Sequence, residues 1–361
     1  MPTSTIPAPP PIARTPMTLG RVEVGPRFFL APLAGYTGLA FRLMVRGQGG
    51  LGLATTDLVN SRSIIEERAR SFELTETCAE DSPLAIQLYG SEAAEMAEAA
   101  RRVVDRGAAV VDINMGCPVR KVVKTGGGSA LMCDADSASR LVGAVVGAVD
   151  VPVTVKMRLG WDAQTPTAPQ LARLFERLGV AAVIVHGRTR AQGFKGGVDL
   201  SGIRDVVEAV DRMPIVGNGD VRTLADAARM LEETGVSAIS IGRGALSNPF
   251  FFRELERWSA TGDPGPPATF EERVCAMERH FRALVDRRGE RMACLQFRKL
   301  VKWYSYAIRP PKPLYHALIN VPSVAVFDDA LRQIRDHGPN SPLPGHFEPR
   351  VPVPTGPIDK W

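Results

Sequence analysis

The chain has 361 residues, 45% of them hydrophobic, which is enough for a full buried core, and a net charge of +5. Five cysteines at 78, 117, 133, 275 and 294 form no C-x-x-C pair, and five histidines lie scattered, so no zinc-type spacing is present and no metal is expected. The six prolines between Pro2 and Pro16 with no apolar core exclude a secretory signal there, and no run approaches the roughly 18 apolar residues of a membrane span. The expectation is a soluble, cytoplasmic, monomeric protein with free thiols.

Residues 1–25 read as a disordered proline-rich leader. From residue 28 onward, short apolar runs alternate with amphipathic stretches. The strands are expected at 28–34, 51–57, 84–89, 109–114, 152–157, 181–186, 214–218 and 237–241, continuous apolar runs of the kind found in parallel sheets covered by helices. Between them, Ser91 to Arg106 places Met96, Ala97, Ala100, Val103 and Val104 on one face and stops at Gly107. Thr223 with Asp226 forms a capping box for a helix that ends at Gly235. Eight β–α units of this length predict an α/β fold, a (β/α)8 TIM barrel over 26–258. A doubly wound sheet would carry G-x-G-x-x-G after its first strand, and Gly35-Tyr36-Thr37-Gly38 does not supply it.

The linker Gly262 to Pro267 breaks the alternation. Beyond it lies a small all-helical C-terminal domain, 268–337, opened by Thr269 and Glu272 as a capping box, with further helices at about 290–308 and 323–336. Arg287 to Lys312 holds eight basic residues and one acid, a net +7 that leaves −2 for the rest of the chain. Arg298 and Lys302 share a helical face beside Lys299, with Trp303, Tyr304 and Tyr306 interleaved. Such a face is either merely solvated or fitted to a phosphate backbone, and its concentration beside a substrate domain favours the latter. The tail 338–361, with seven prolines, reads as disordered.

In a barrel of this kind the active site lies at the C-terminal strand ends. The polar residues fall there: Gln87, Asn114 with Cys117, Lys156 with Arg158, His186 with Arg188, Asn218 with Asp220, and Arg243. Gly217-Asn218-Gly219-Asp220 and Gly242-Arg243-Gly244 have the parts of a strand-seven and strand-eight phosphate pocket, although the same glycines could serve tight turns alone. A flavin mononucleotide fits such a pocket better than a dinucleotide. Lys156 is then either the cation beside the reduced flavin or half of an ion pair in the barrel mouth. His186 is either a satisfied core histidine or a contact to cofactor or base. Cys117, between glycine and proline at a strand end, should face the site and act as an acid, whereas a nucleophilic role lacks a partner histidine with a third orienting group. The other four cysteines are expected to be small buried hydrophobes.

Asn114-Met115-Gly116-Cys117-Pro118 matches the signature of the tRNA-dihydrouridine synthases, and the resemblance extends over about 26–335. Ala31-Pro32-Leu33-Ala34-Gly35-Tyr36-Thr37-Gly38 with Phe41-Arg42 resembles the family's opening motif, with Gly38 where the pattern has aspartate. Gly126-Gly127-Gly128-Ser129, Lys156-Met157-Arg158-Leu159-Gly160-Trp161 and His186-Gly187-Arg188-Thr189-Arg190-Ala191-Gln192 are most similar to the bacterial B-type branch. The resemblance implies FMN contacts at Pro32, Leu33, Ala34, Gln87, Lys156, His186, Asn218, Gly219, Asp220, Gly242 and Arg243. It implies Cys117 as proton donor, NADPH as transient reductant and a flipped uridine of tRNA as substrate. Asn114, Arg158, Arg188, Arg298, Lys299 and Lys302 are the expected substrate contacts. A reductase of a free pyrimidine or enone, and a non-catalytic RNA-binding barrel, are the alternatives.

Overall fold

The computed structural model describes residues 6–11 and 15–340. Met17–Leu19 (β1) and Val22–Val24 (β2) pair antiparallel, with Gly20 at φ 54 in the turn. The expectation of a structureless leader therefore fails at these residues. Leu19 and Val24 are fully buried, and they pack with Phe29, Leu53, Ala85, Val110, Ala182, Val216 and Ala238, plugging the lower end of the barrel. Farther upstream, the carbonyl of Pro7 accepts a 2.7 Å hydrogen bond from the Trp258 indole. Residues 1–5, 12–14 and 341–361, including nearly all of the expected disordered tail, lie outside the described residues.

The barrel runs Phe28–Leu30 (β3), Leu53–Thr55 (β4) continued by Val59–Asn60 (β5), Leu84–Tyr89 (β6), Val110–Met115 (β7), Val153–Arg158 (β8), Ala182–His186 (β9), Ile215–Asn218 (β10) and Ala238–Ile241 (β11). All neighbours are parallel. β3 pairs with both β11 and β4, while β4 and β5 share one place beside β6, so the sheet closes as eight positions. Side chains alternate across a strand. The inward set is apolar at the lower end, where Ala85, Val110, Ala182 and Val216 meet, and polar two or four residues later, at Gln87, Asp112, Asn114, His186 and Asn218. That change of character along each strand makes one end a core and the other a site.

The outer helices bury one face each. Ala93–Asp105 covers the sheet with Met96, Ala97, Ala99, Ala100 and Val103. Leu224–Thr234 starts on the expected reciprocal cap between Thr223 and Asp226 and stops at Gly235, φ 72, a left-handed position where a Cβ is strained. After Phe251–Thr261, the helical region begins with the Thr269–Glu272 capping box and runs over Phe270–Ile308, broken at Gly289 (φ 71, ψ 160), so the expected helix from 290 exists as a second segment. Val324–His337 follows, capped by Ser323, while Lys312–Ile319 is a helix that the sequence reading missed. Phe281 stacks on Phe327 at 3.9 Å and meets Phe297 edge-on at 5.0 Å to form this region's core. Among the described residues no helix is long and apolar enough to cross a membrane.

Candidate active site

A cavity of about 860 Å³ opens at the C-terminal strand ends, roofed on one side by Lys299, Lys302 and Trp303 of the helical region. Every residue expected to hold the cofactor lines it: Pro32, Leu33 and Ala34 after β3, Gln87, Lys156, His186, then Asn218, Gly219, Asp220, Gly242 and Arg243. Asn114, Cys117 and Arg158 line it too. Arg188 and Arg298 do not.

One flank is a closed relay of hydrogen bonds. Asp112, fully buried inside the barrel, accepts from Gln87 Nε2 (2.6 Å) and Thr154 Oγ1 (2.6 Å). Gln87 Oε1 accepts from Asn114 Nδ2 at 2.7 Å, and Asn114 Oδ1 accepts from the backbone N–H groups of Gly116 (3.2 Å) and Cys117 (2.9 Å). From the other side, the Cys117 carbonyl accepts from the Ser129 amide and hydroxyl, both at 3.1 Å. A Cβ on Gly128 would sit 2.8 Å from that carbonyl, which is why a glycine (φ 59) precedes Ser129. Asn114 thus orients the cysteine loop, with both ends of its amide already engaged. Desolvation raises the Cys117 thiol above its ordinary value, so near neutrality it carries its proton. Burial likewise lifts Asp112 to about 6, opposed by the donors from Thr154 and Gln87 and by the charge of Lys156.

The cations divide by task. Lys156 Nζ donates to Asn218 Oδ1 at 3.0 Å, and burial together with Arg158 lowers its pKa to about 8. Arg158 donates to the carbonyls of Gly116 (2.7 Å), Thr189 (2.9 Å) and Gly193 (2.8 Å), tying the cysteine loop to the loop after β9. Arg188 is buried behind the wall, donating to Gly196 O at 2.6 Å and Asp220 Oδ2 at 2.5 Å, so it supports the cavity without lining it. Its Nη1 lies 3.4 Å from His186 Nε2. A guanidinium only donates, so that ring nitrogen accepts and the proton sits on Nδ1. Desolvation, then the charges of Arg158, Lys156, Arg188 and Arg243, hold His186 well below the usual histidine range and keep it neutral.

The opposite flank is an anion cradle. Asp220, at φ 51, accepts from Arg188, from Arg222 (3.2 Å) and from Arg243 (2.7 Å). One carboxylate against three guanidiniums leaves excess positive charge, and Arg243 Nη1 is buried with no partner. A Cβ on Gly219 would press Val198 at 2.6 Å and His186 at 3.0 Å, and one on Gly244 would meet Val221 O at 2.5 Å. Those two glycines are required by the packing of the protein itself, and it is the orphaned donor of Arg243 with the surplus of guanidiniums that fits a phosphate group.

The basic helix turns out differently from its sequence. Arg287 and Arg288 pair with Glu76, Arg298 donates to the Val321 carbonyl at 3.2 and 3.0 Å, and Tyr304 is buried at 2.8 Å from His280 Nδ1. Arg298 is therefore an interhelical tie, and Arg287 and Arg288 are already ion-paired. Lys299 reaches the Gly35 carbonyl and lies 4.7 Å over the Tyr36 ring, while Lys302 is exposed at the cavity mouth. Among the cysteines expected to be buried, only Cys294 is; Cys133 is exposed, and Cys78 and Cys275 are intermediate. Sequence reading missed Asp112, Ser129, Arg190 and Arg222. Asp112 was within reach, because it shares the parity of Asn114 on a strand whose inward end was known to be polar.

A family model described as dihydrouridine synthase matches residues 29–335. A probable tRNA-dihydrouridine synthase of Rickettsia bellii is 38% identical over 304 residues, covering 84% of this chain and 92% of the relative. The tRNA-dihydrouridine synthase B of Xanthomonas campestris pv. campestris is also 38% identical over 304 residues, covering 84% and 91%. Among solved structures, histamine dehydrogenase from Rhizobium sp. 4-9 aligns with a TM-score of 0.52 at 14% identity over 74% of this chain and 51% of that one. A 2-naphthoyl-CoA reductase complex aligns at 0.54 and 13% identity over 70% and 52%. The chain spans about half the length of these two, and the likeness at that identity is one of fold.

Proposed function

This chain belongs to the dihydrouridine synthase family, and from that premise we propose that it reduces specific uridines of tRNA to 5,6-dihydrouridine, using FMN held in the cavity and NADPH as the reductant. The observation that carries the reading is the pairing of a proton-bearing Cys117 with an unpartnered Arg243 donor on the walls of one cavity. FMN, if bound there, would supply the two-electron chemistry that carries a hydride from NADPH to C6 of uracil. The protein's own part is the proton. Cys117 Sγ–H gives it to C5, so that one hydride and one proton saturate the C5=C6 bond, and the thiolate regains its proton from solvent. Arg243, Gly219 and Gly242 would hold the phosphate, and Lys156, still largely protonated at neutral pH, would set a cation against the reduced ring. Neutral His186 offers Nδ1–H as a donor without adding charge. Lys299 and Lys302 at the mouth supply positive charge for the RNA backbone of this cytoplasmic substrate.

The test starts with the purified protein. FMN released from it should be near stoichiometric, and incubation with NADPH and unmodified tRNA should yield dihydrouridine by mass spectrometry. Turnover of free uracil as fast as tRNA would overturn the substrate assignment in favour of a small-pyrimidine reductase. Protein that binds no flavin would overturn the chemistry.

A further inference from the structure

Arg158, Arg222 and Arg243, which line the cavity, all donate to a carbonyl or to Asp220. Arg190 lines the same cavity and differs. Among the described residues no oxygen accepts from its side chain, and its Nε is buried without a partner. The loop that carries Arg190 is well tied. Arg190 N–H donates to Gly160 O at 2.9 Å and Ala191 N–H to Trp161 O at 2.8 Å. Thr189 and Gln192 close the turn around it by reciprocal side-chain bonds of 2.7 and 3.3 Å. Gly160 itself admits no side chain, because a Cβ there would lie 2.0 Å from Thr165 O.

This zipper sets the guanidinium carbon 4.3 Å over the Trp161 ring. Stacking fixes the plane of the fork and leaves its edge for an acceptor. The acid of the adjoining loop does not serve, since Asp162 Oδ1 accepts from the amides of Gln164 and Thr165 and from the Thr165 hydroxyl. Arg120 and Lys195 also line the cavity and add positive charge, so the acceptor that fits is an anion.

We propose that Arg190, stacked on Trp161, is a second phosphate subsite of the cavity, on a different strand end from Arg243, which grips a phosphate of the molecule that enters beside the cofactor. This rests on the functional reading above. Two entrants carry that chemistry, the nicotinamide cofactor and the phosphodiester backbone of the RNA, and the experiment separates them.

Arg190→Gln keeps a flat end that can lie on the indole but removes the charge, and Arg190→Lys keeps the charge without the fork. In one arm, the flavin-loaded proteins are reduced in a stopped-flow instrument over a range of NADPH concentrations. In the other, tRNA binding is measured at several salt concentrations. Loss of a charge-assisted bond to phosphate predicts a roughly tenfold or greater weakening in Arg190→Gln, with Arg190→Lys between it and wild type. A raised half-saturation for NADPH identifies the reductant as the source. Weaker tRNA binding with a salt slope smaller by about 0.7 identifies the RNA backbone. Flavin content should match wild type in both variants, because Arg243 is untouched. Variants that bind NADPH and tRNA as the wild type does would overturn the subsite. Failure of the wild-type protein itself to bind flavin or tRNA would instead overturn the functional reading.

Discussion

The two flanks of the cavity are finished in opposite ways. On the side of β6, β7 and β8, Thr154 and Gln87 donate to Asp112, Asn114 donates to Gln87, and the Cys117 loop donates to Asn114, so the polar groups close on one another. After β9, β10 and β11, three arginines share Asp220 and Arg243 Nη1 is still left over. A closed network holds a group in place without help, whereas an open one waits for a ligand to complete it. The first flank therefore positions Cys117, and the second keeps a donor free for a ligand.

The largest effect should come from the group that the closed flank positions. Cys117→Ala should lower dihydrouridine formation by about 10²- to 10⁴-fold while flavin reduction by NADPH persists in stopped flow. Equal loss of both steps would mean that the thiol is not the acid of the second one alone. Because burial raises the thiol, Cys117 should keep its proton past the ordinary thiol value of about 8.5, so uridine reduction should stay level through neutrality and first decline as Lys156 loses its charge near 8.

Asp112→Ala removes the acceptor shared by Gln87 and Thr154, and each orphaned donor should cost about 1–3 kcal/mol in denaturant unfolding. Asp112→Asn loses the charge and one of the two acceptor oxygens, and turns an NH2 toward the donor of Gln87 or Thr154. The folded-state pKa of Asp112 is raised from 3.8 to about 6, so its contribution to stability is full below 3.8 and is lost as pH rises through 6. The asparagine variant should lack that fall, which a pH series of unfolding curves would reveal.

On the open flank the pattern should invert. Arg243→Ala should weaken flavin retention by about 1.5–3 kcal/mol yet change the unfolding of the flavin-free protein little, since Asp220 keeps Arg188 and Arg222 when it loses Arg243. A large drop in apo stability would erase the contrast between the flanks. The same logic splits the basic helix. Arg298→Ala should cost about 1 kcal/mol of stability through the lost Val321 carbonyl and leave the salt dependence of tRNA binding alone, whereas Lys302→Ala should flatten that dependence. The smallest effect is at Gly38, the N-cap of Leu39–Arg46, which makes no side-chain cap and has nothing within 4 Å of its Cβ position. Gly38→Asp should raise stability by a few tenths of a kcal/mol, read as a slightly higher melting temperature.

The sequence by itself determined the barrel and its strand ends, with Cys117 placed at one of them. Apolar runs, capping boxes such as Thr223 with Asp226, and glycines at strand ends are written in residues a few positions apart, and they act over the same short range in the fold. The cavity's expected cofactor residues follow, because strand register carries every strand end to one rim. What only the tertiary structure decided is which charges are already matched. Glu76 answers Arg287 from 211 positions away, Val321 answers Arg298, and Asp220 is divided among Arg188, Arg222 and Arg243. Periodicity says nothing about such distant partners. The buried leader hairpin and the bare edge of Arg190 arise in the same way, since the partner of a group, or its lack of one, is a property of space and not of neighbours along the chain.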